Sequence, residues 1–416
     1  MKLFKGILFI CDGMGDRPNP DRGGRSPLEE ASTPNMDRLA SEGLVGLIDI
    51  ISPGVRPGSD VAHLSLFGYD PYRYYTGRGG FEAAGAGLDL KLGDVALRCN
   101  YATVDDRLVI QDRRAGRIRE GGEELAEALN SIRLEADGVK LEFHHTVEHR
   151  GVLVLRSEGR KLSRLVSDTD PHEIGVKVLE AKPLEDSEEA KFTAKLINEF
   201  TWRSYEVLKD HPVNVERVRS GLPPANIILS RGAGTLPHVE PLGKLYNARF
   251  AAIAAVALVR GICRVVGMDL IDVPGATGGL DTDYSAKGKA AVEALQSYDL
   301  VVVHVKAADV AGHDGKFDVK TEVIERIDHM IGEVMESLDL DSTYIALTAD
   351  HATPVSVGDH MGDPVPFLLH GPGLFPSGVE KFCERTASKG NASRIKGSDL
   401  IPLLMNYMGR SEKFGF

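Results

Sequence analysis

Cysteine is scarce in this chain. There are four in 416 residues, Cys11, Cys99, Cys263 and Cys383, and no two form a Cys-x-x-Cys pair. That scatter argues against a disulfide framework and a thiolate zinc site, and it predicts a reducing, cytoplasmic setting. Positive charge is also short: Lys and Arg total 49 against 61 Asp and Glu, for a net charge of −12. Nucleic acid and anionic membrane surfaces are therefore not expected partners. A phosphorylated substrate would have to find its positive partners locally, in metal ions or a few convergent arginines. No apolar run approaches the roughly 18 residues of a membrane span. The longest apolar helix candidate, residues 250–259, is Ala-rich, lies between Arg249 and Arg260, and reads as a buried helix. The N-terminus enters a strand-like run broken by Lys2 and Lys5, without a small-residue cleavage pattern, so no signal peptide is expected. Internal repeats and low-complexity tracts are lacking as well.

What is present is an ordinary globular composition, 42% hydrophobic and 26% charged. At this length two domains are expected. Three apolar runs, residues 3–11 (LFKGILFIC), 300–305 (LVVVHV) and 343–349 (TYIALTA), read as buried parallel strands. Each ends on a metal-binding residue type. The first enters Asp12-Gly13, the second a short loop carrying Asp309 and His313, the third Asp350-His351. In open α/β sheets ligands gather beyond the carboxyl ends of the strands, so these distant segments are predicted to meet.

The texture changes near Gly93. Residues 95–103, 108–111, 140–145 and 151–156 alternate as short strands do, and residues 189–210 have helical apolar spacing. Buried strands and helices resume after Leu270. The reading is a discontinuous metal-binding domain, residues 1–92 and 271–416, with a substrate or lid domain inserted at 93–270.

Asp309 and His313 are four apart, a spacing that can put both on one face of a helical turn. Asp350 and His351 can splay toward different ions, and His360 lies nine residues further on. With Asp12 this makes six strong ligands, enough for two ions with open positions. Two metals about 3.5–4 Å apart suit phosphoryl transfer. Ser59 follows Pro57-Gly58 at the start of an apolar helix, a place that favours phosphate, and is the candidate nucleophile. Singly, each element has an ordinary reading: Asp12-Gly13 a turn, Ser59 an N-cap. His63, His304 and His370 read as hydrogen-bonded core residues. The concurrence carries the prediction.

These residues resemble the alkaline phosphatase superfamily. The longer strings FICDGMGD, GSDVAHLSLFGYDP, GRGGFEAAGAGL, GATGGLDTDYSAKG, HVKAADVAGHDG and TADHATP…GDHMGDPVPF resemble the archaeal-type cofactor-independent phosphoglycerate mutases over nearly the whole chain. The resemblance implies an α/β fold, a doubly wound, mostly parallel sheet with a smaller inserted α/β or α+β domain. It implies two divalent ions, manganese, zinc or magnesium, and no 2,3-bisphosphoglycerate. Asp309, His313 and His360 would hold one ion. Asp12, Asp350 and His351 would hold the other, with Ser59 beside it. The implied reaction is a phosphoserine relay between 3- and 2-phosphoglycerate, with the inserted domain as a lid against water.

A small-molecule phosphoglycerate is the expected partner, and a homo-oligomer is compatible with the sequence. For the glycerate, the candidates are Arg113 and Arg114 in QDRRAGR, the acid–base cluster Asp168, Asp170 and His172, Arg231 after a strand, and Lys287 for the phosphate. A phosphomonoesterase, a sulfatase or a phosphopentomutase shares the same core constellation, and a non-catalytic metal-binding protein is the alternative outside enzymes.

Overall fold

The structure is a computed structural model that describes residues 3–415. Along them run strands β1 (Lys5–Cys11), β2 (Leu44–Asp49), β3 (Val95–Val104), β4 (Ile110–Asp112), β5 (Val139–His145), β6 (Arg150–Ser157), β7 (Ile227–Gly234), β8 (Phe250–Ile253), β9 (Asp269–Leu270), β10 (Leu300–Val305), β11 (Thr343–Thr348), β12 (Val365–His370) and β13 (Ser393–Lys396). The chain divides into two compact units. The first is Met1–Tyr75 with Val239–Phe416, and the second is Thr76–His238.

The first unit is built on an eight-stranded sheet, ordered β13-β2-β12-β11-β1-β10-β8-β9. Its centre is the three apolar runs read from the sequence. β1 pairs parallel with both β10 and β11, and every residue of β10 and β11 is buried. Continuous apolar strands are what a sheet covered on both faces requires. Only β12 runs antiparallel to its neighbours, β11 and β2. The fold is α/β with a mostly parallel sheet.

The second unit is antiparallel throughout: β4-β3-β6-β5 in order, with β7 on β3. Helix Glu188–Leu208 closes one face. It buries Phe192, Leu196, Ile197, Phe200 and Leu208 in the same core as Leu97, Tyr101, Phe143 and Leu153 from the sheet.

Two expectations need correction. The units exchange chain near residues 76 and 239, not at 93 and 271. Helix Arg78–Gly85 belongs with the inserted sheet: a side chain on Gly79 would strike the Ala96 carbonyl, and one on Gly80 the Thr235 carbonyl. At the return, β8 and β9 already belong to the large sheet, β8 parallel to β10. The same strand corrects residues 250–259, expected as one helix. Residues 250–253 are strand, and the helix is Ala257–Val265. Alanine favours helix intrinsically, but a berth beside a buried parallel strand outweighs a few tenths of a kcal/mol of propensity.

Loops at the carboxyl ends of the strands are pinned by one buried cation. Lys320 lies on helix Phe317–Glu336, fully buried. Its ammonium donates to Asp16 Oδ2 at 2.7 Å and to the carbonyls of Gly15 (3.1 Å) and Thr353 (2.9 Å). Lys320→Ala would leave the buried Asp16 carboxylate without its counter-ion, held only by the backbone N–H groups of Arg17 and Val355. We expect a loss of about 3–5 kcal/mol in denaturant unfolding; a loss below about 1 kcal/mol would show that water or a neighbour takes the lysine's place.

Candidate active site and metal centre

Strand register sets the site. Ile10 lies opposite His304 on one side and Thr348 on the other, so the three central strands end at one level. Asp12 follows β1 directly and its N–H still donates to Val305. The segment after β10 is helical at once, Ala307–His313, which puts Asp309 and His313 one turn apart. Asp350 and His351 follow β11. His360 comes from the next loop, which is stitched to the serine loop by Gly54 N–H donating to Gly362 (3.3 Å) and by Arg56 donating to the His360 carbonyl (2.7 Å) and Asp359 (2.5 Å).

The structure gathers these side chains into two trios. Asp309, His313 and His360 offer donor atoms within 4.8 Å of one another, and Asp12, Asp350 and His351 do the same. The hydrogen bonding says which atoms are free. His313 Nδ1 meets the Gly358 carbonyl at 2.8 Å, and His360 Nδ1 meets the Pro57 carbonyl at 3.0 Å. A carbonyl only accepts, so both rings carry hydrogen on Nδ1. Thr353 has one hydroxyl proton, given to Asp309 Oδ1 at 2.7 Å, so it accepts from His351 Nδ1 at 3.0 Å. In their neutral forms all three imidazoles therefore turn an unprotonated Nε2 inward, while in the metal-free protein burial is overcome by the Asp309 carboxylate, which raises His360 above its usual range. His313 and His360 Nε2 stand 3.2 Å apart, each about as close to Asp309 Oδ1, at 3.4 and 3.5 Å. His351 Nε2 lies 3.3 Å from Asp350 Oδ2, a buried oxygen without a hydrogen-bond donor. Lone pairs facing lone pairs, buried at Asp12, Asp350 and His351 and opening outward at His313, with outer partners fixing each ring, are what divalent cations require. The residues fit the metal.

Electrostatics agree. Burial and the Asp12 charge push the Asp350 carboxyl well above its usual range. Burial pushes Asp12 up too, but Lys306 and His304 overcome it and hold Asp12 below its usual range. Burial lowers His351 to about 3.

Ser59 is the first residue of helix Ser59–Leu66, and the cap is Gly58. The serine hydroxyl makes no capping bond, contrary to the ordinary reading of an N-cap serine. Its Oγ lies 3.3 Å from His351 Nε2. His63, one turn on, has its Nδ1 2.7 Å from the Ser59 carbonyl.

Sequence reasoning passed over several residues. His304 is a hydrogen-bonded core residue, as read, yet its partner is Asp12 Oδ2 at 2.9 Å, so it orients a ligand. Lys306 contacts Asp12 Oδ1 at 3.0 Å and Asp309 Oδ2 at 2.5 Å, joining the trios. A lysine immediately after a buried strand was the available signal. Thr353 had none. Lys287, expected at the phosphate, is fully buried and donates to the His304 carbonyl at 3.0 Å, a structural contact.

In the second unit the remaining candidates meet. Arg113 grips Asp170 with Nε (2.9 Å) and Nη2 (2.7 Å), and Nη2 also reaches His172 Nδ1 (3.2 Å). Asp168 accepts from Gly232 N–H at 2.8 Å, and Arg231 stands 4.0 Å from Asp170. Burial raises the Asp170 carboxyl, but the Arg113 hydrogen bonds and charge outweigh it, and it stays ionised below the usual range. Arg231 Nε is buried without a partner. Arg98, unnoticed in the sequence, is pushed down to about 9 by burial and by the charges of Arg78, Arg231 and Arg150. This is a concentration of under-neutralised arginine in an acidic chain.

The chain is similar to known proteins. A family described as 2,3-bisphosphoglycerate-independent phosphoglycerate mutase matches residues 40–214. A protein of that name from Ignicoccus hospitalis is 53% identical over the full length of both chains, and one from Methanosphaera stadtmanae is 50% identical over 99% of this chain and all of its own. A solved cofactor-independent phosphoglycerate mutase from Thermoplasma acidophilum aligns with TM-score 0.72 at 36% identity, covering 98% of this chain and 100% of that one. A solved Pyrococcus horikoshii protein aligns with TM-score 0.88 at 40% identity over all of both chains.

Thr353→Val removes the group that holds both Asp309 and His351. We expect metal affinity to fall about 10–100-fold in calorimetric titration, with the melting temperature of the metal-free protein little changed. Unaltered affinity would mean that the hydroxyl does not order the ligands.

Proposed function

The chain belongs to the 2,3-bisphosphoglycerate-independent phosphoglycerate mutase family, and from that premise we propose how its residues interconvert 3-phosphoglycerate and 2-phosphoglycerate. It is an isomerase that moves a phosphoryl group between two hydroxyls of one glycerate. The observation that carries the reading is Ser59: a helix-start hydroxyl free of capping duty, against His351 in the Asp12–Asp350–His351 trio.

Two divalent cations, manganese, zinc or magnesium, held by Asp309, His313, His360 and by Asp12, Asp350, His351, would lower the serine pKa and neutralise the phosphoryl oxygens. Ser59 Oγ then forms a bond to phosphorus, and the bond from phosphorus to the substrate 3-oxygen breaks. That oxygen takes up a proton. In the second half the glycerate 2-hydroxyl attacks the phosphoserine, loses its proton, and Ser59 is released. Protons taken and given balance, and no bisphosphoglycerate is needed.

His172 is our proton carrier. A guanidinium only donates, so His172 Nδ1 accepts from Arg113 and the ring hydrogen sits on Nε2. The side chain is 55% exposed and so can reach a ligand. His172 also has φ 63°, a left-handed conformation costly for this residue and typical of functional positions. Asp170 keeps Arg113 occupied, so Arg231 and Arg98 are better placed to take the glycerate carboxylate than Arg113 is. Four buried, unpaired thiols support a reducing compartment, the cytoplasm. No described helix is long and apolar enough to cross a membrane.

The test is conversion of 3-phosphoglycerate by metal-loaded enzyme without 2,3-bisphosphoglycerate, with free phosphate followed in the same tube. We expect isomerisation with little phosphate release, lost on chelation. Ser59→Ala should lower kcat by more than about 10³-fold while still binding two ions. Release of phosphate without 2-phosphoglycerate would make the protein a phosphomonoesterase. Arg231→Met should raise KM for 3-phosphoglycerate at least tenfold and leave metal binding untouched; an unchanged KM would remove Arg231 from the substrate site.

A further inference from the structure

Lys306 occupies an anomalous position. It is the first residue after β10 and precedes the Asp309 helix. Its ammonium contacts one carboxylate from each donor trio, Asp12 at 3.0 Å and Asp309 at 2.5 Å. Those contacts cannot stand unaltered once both trios hold dications. The cations take the carboxylate oxygens as ligands, and a third positive charge among them is repelled unless an anion screens it.

Charge balance identifies the anion. Three carboxylates, Asp12, Asp309 and Asp350, leave two divalent ions with one surplus positive charge. A phosphoryl group brings close to two negative charges. The lysine supplies the missing one. Its reach suits the task, since the side chain is 20% exposed, on a flexible four-carbon stem with three donors. A serine-linked phosphate beside the Asp12 trio would lie within the same small region. Lys287, the lysine that the sequence suggested for the phosphate, is committed to the His304 carbonyl.

We propose that Lys306 is a phosphoryl-binding residue of the mutase: on metal loading its ammonium leaves Asp12 and Asp309 for the oxygens of the transferring group. The inference rests on the Ser59 phosphoryl-transfer reading above. It adds a residue whose role is distinct from metal ligation, because an ammonium has no lone pair to offer a cation. In the metal-free protein the same lysine serves as counter-ion to the two carboxylates.

The test uses Lys306→Met and Lys306→Arg in the full-length protein loaded with manganese. Metal stoichiometry and affinity are measured first, by calorimetry. Removing a competing cation should leave two ions bound, with affinity equal to or greater than wild type. Inorganic phosphate is then titrated into the loaded proteins, and phosphate trapped on Ser59 is measured by acid quench during turnover. We expect phosphate affinity to fall at least tenfold in Lys306→Met, the trapped fraction to fall with it, and Lys306→Arg to recover part of both. Wild-type phosphate affinity in Lys306→Met would overturn the proposal and leave Lys306 a counter-ion of the empty site. Failure of both variants to bind two ions would also overturn it, since the lysine would then serve the metal ligands. Wild-type enzyme that traps no phosphate on Ser59 would instead refute the phosphoserine reading.

Discussion

Three carboxylates buried within reach of one another are the constraint to which the rest of this structure answers. Two like charges 4 Å apart repel by roughly 4 kcal/mol at an effective dielectric of 20, and burial adds a desolvation cost to each. The chain offsets part of this itself. Lys306 neutralises Asp12 and Asp309, His304 donates to Asp12, Thr353 donates to Asp309, and the Gly13 N–H donates to Asp350. Gly13 is fixed there twice over: its φ is +66°, and a side chain would strike Asp309 and Thr353. Asp350 Oδ2 receives nothing, and its carboxyl is pushed up accordingly. A fold that collects this much negative charge and leaves one oxygen unmet is arranged for cations.

The means of collection is register. In a parallel sheet a slip of one residue would turn every side chain to the opposite face. The strands β11, β1 and β10 are paired with Ile10 opposite both His304 and Thr348, so they end at one level and the residues that follow are delivered together. Two helices then convert position into orientation. The short helix after β10 sets Asp309 and His313 one turn apart, and the serine helix begins at Ser59, so that its hydroxyl meets His351 and not its own backbone.

This explains what the sequence could reveal. Asp12, Asp309, Asp350 and His351 were legible because a buried strand ending in a metal-binding residue is a local pattern, and three such patterns on one sheet imply a meeting place. Thr353 and the carbonyls of Gly358 and Pro57 were not, because their role lies in which imidazole nitrogen they occupy, and spacing does not encode that. Lys287 misled for a related reason: a lysine in a Gly- and Ala-rich helix reads as exposed, whereas its neighbours are small enough to let the stem run inward to a strand carbonyl. The unit boundaries moved because helix Arg78–Gly85 is assigned by where its glycines touch backbone. The alternating strands that follow mark only where the sheet becomes obvious in sequence. Residues 250–259 show the limit of propensity, since an alanine run takes the state that its neighbours leave open.

The two units depart from comfort in opposite senses. The first holds excess carboxylate. The second holds excess guanidinium, with Arg98 pushed down to about 9 and Arg231 short of a partner for its buried Nε. Neither arrangement is what stability alone would select, since each buries charge that a ligand must balance. The anions that the two would accept differ, a phosphate for carboxylates completed by cations and a carboxylate for arginines, and the substrate of the proposed reaction carries both groups. The mutase reaction adds a further demand, because the glycerate must present first its 3-oxygen and then its 2-oxygen to the same phosphorus. One bidentate arginine, satisfied in a single geometry, would resist that change. Several arginines of which only Arg113 is fully committed can hold a carboxylate in more than one pose. In the proposed reaction such a cluster would keep the glycerate bound without fixing it.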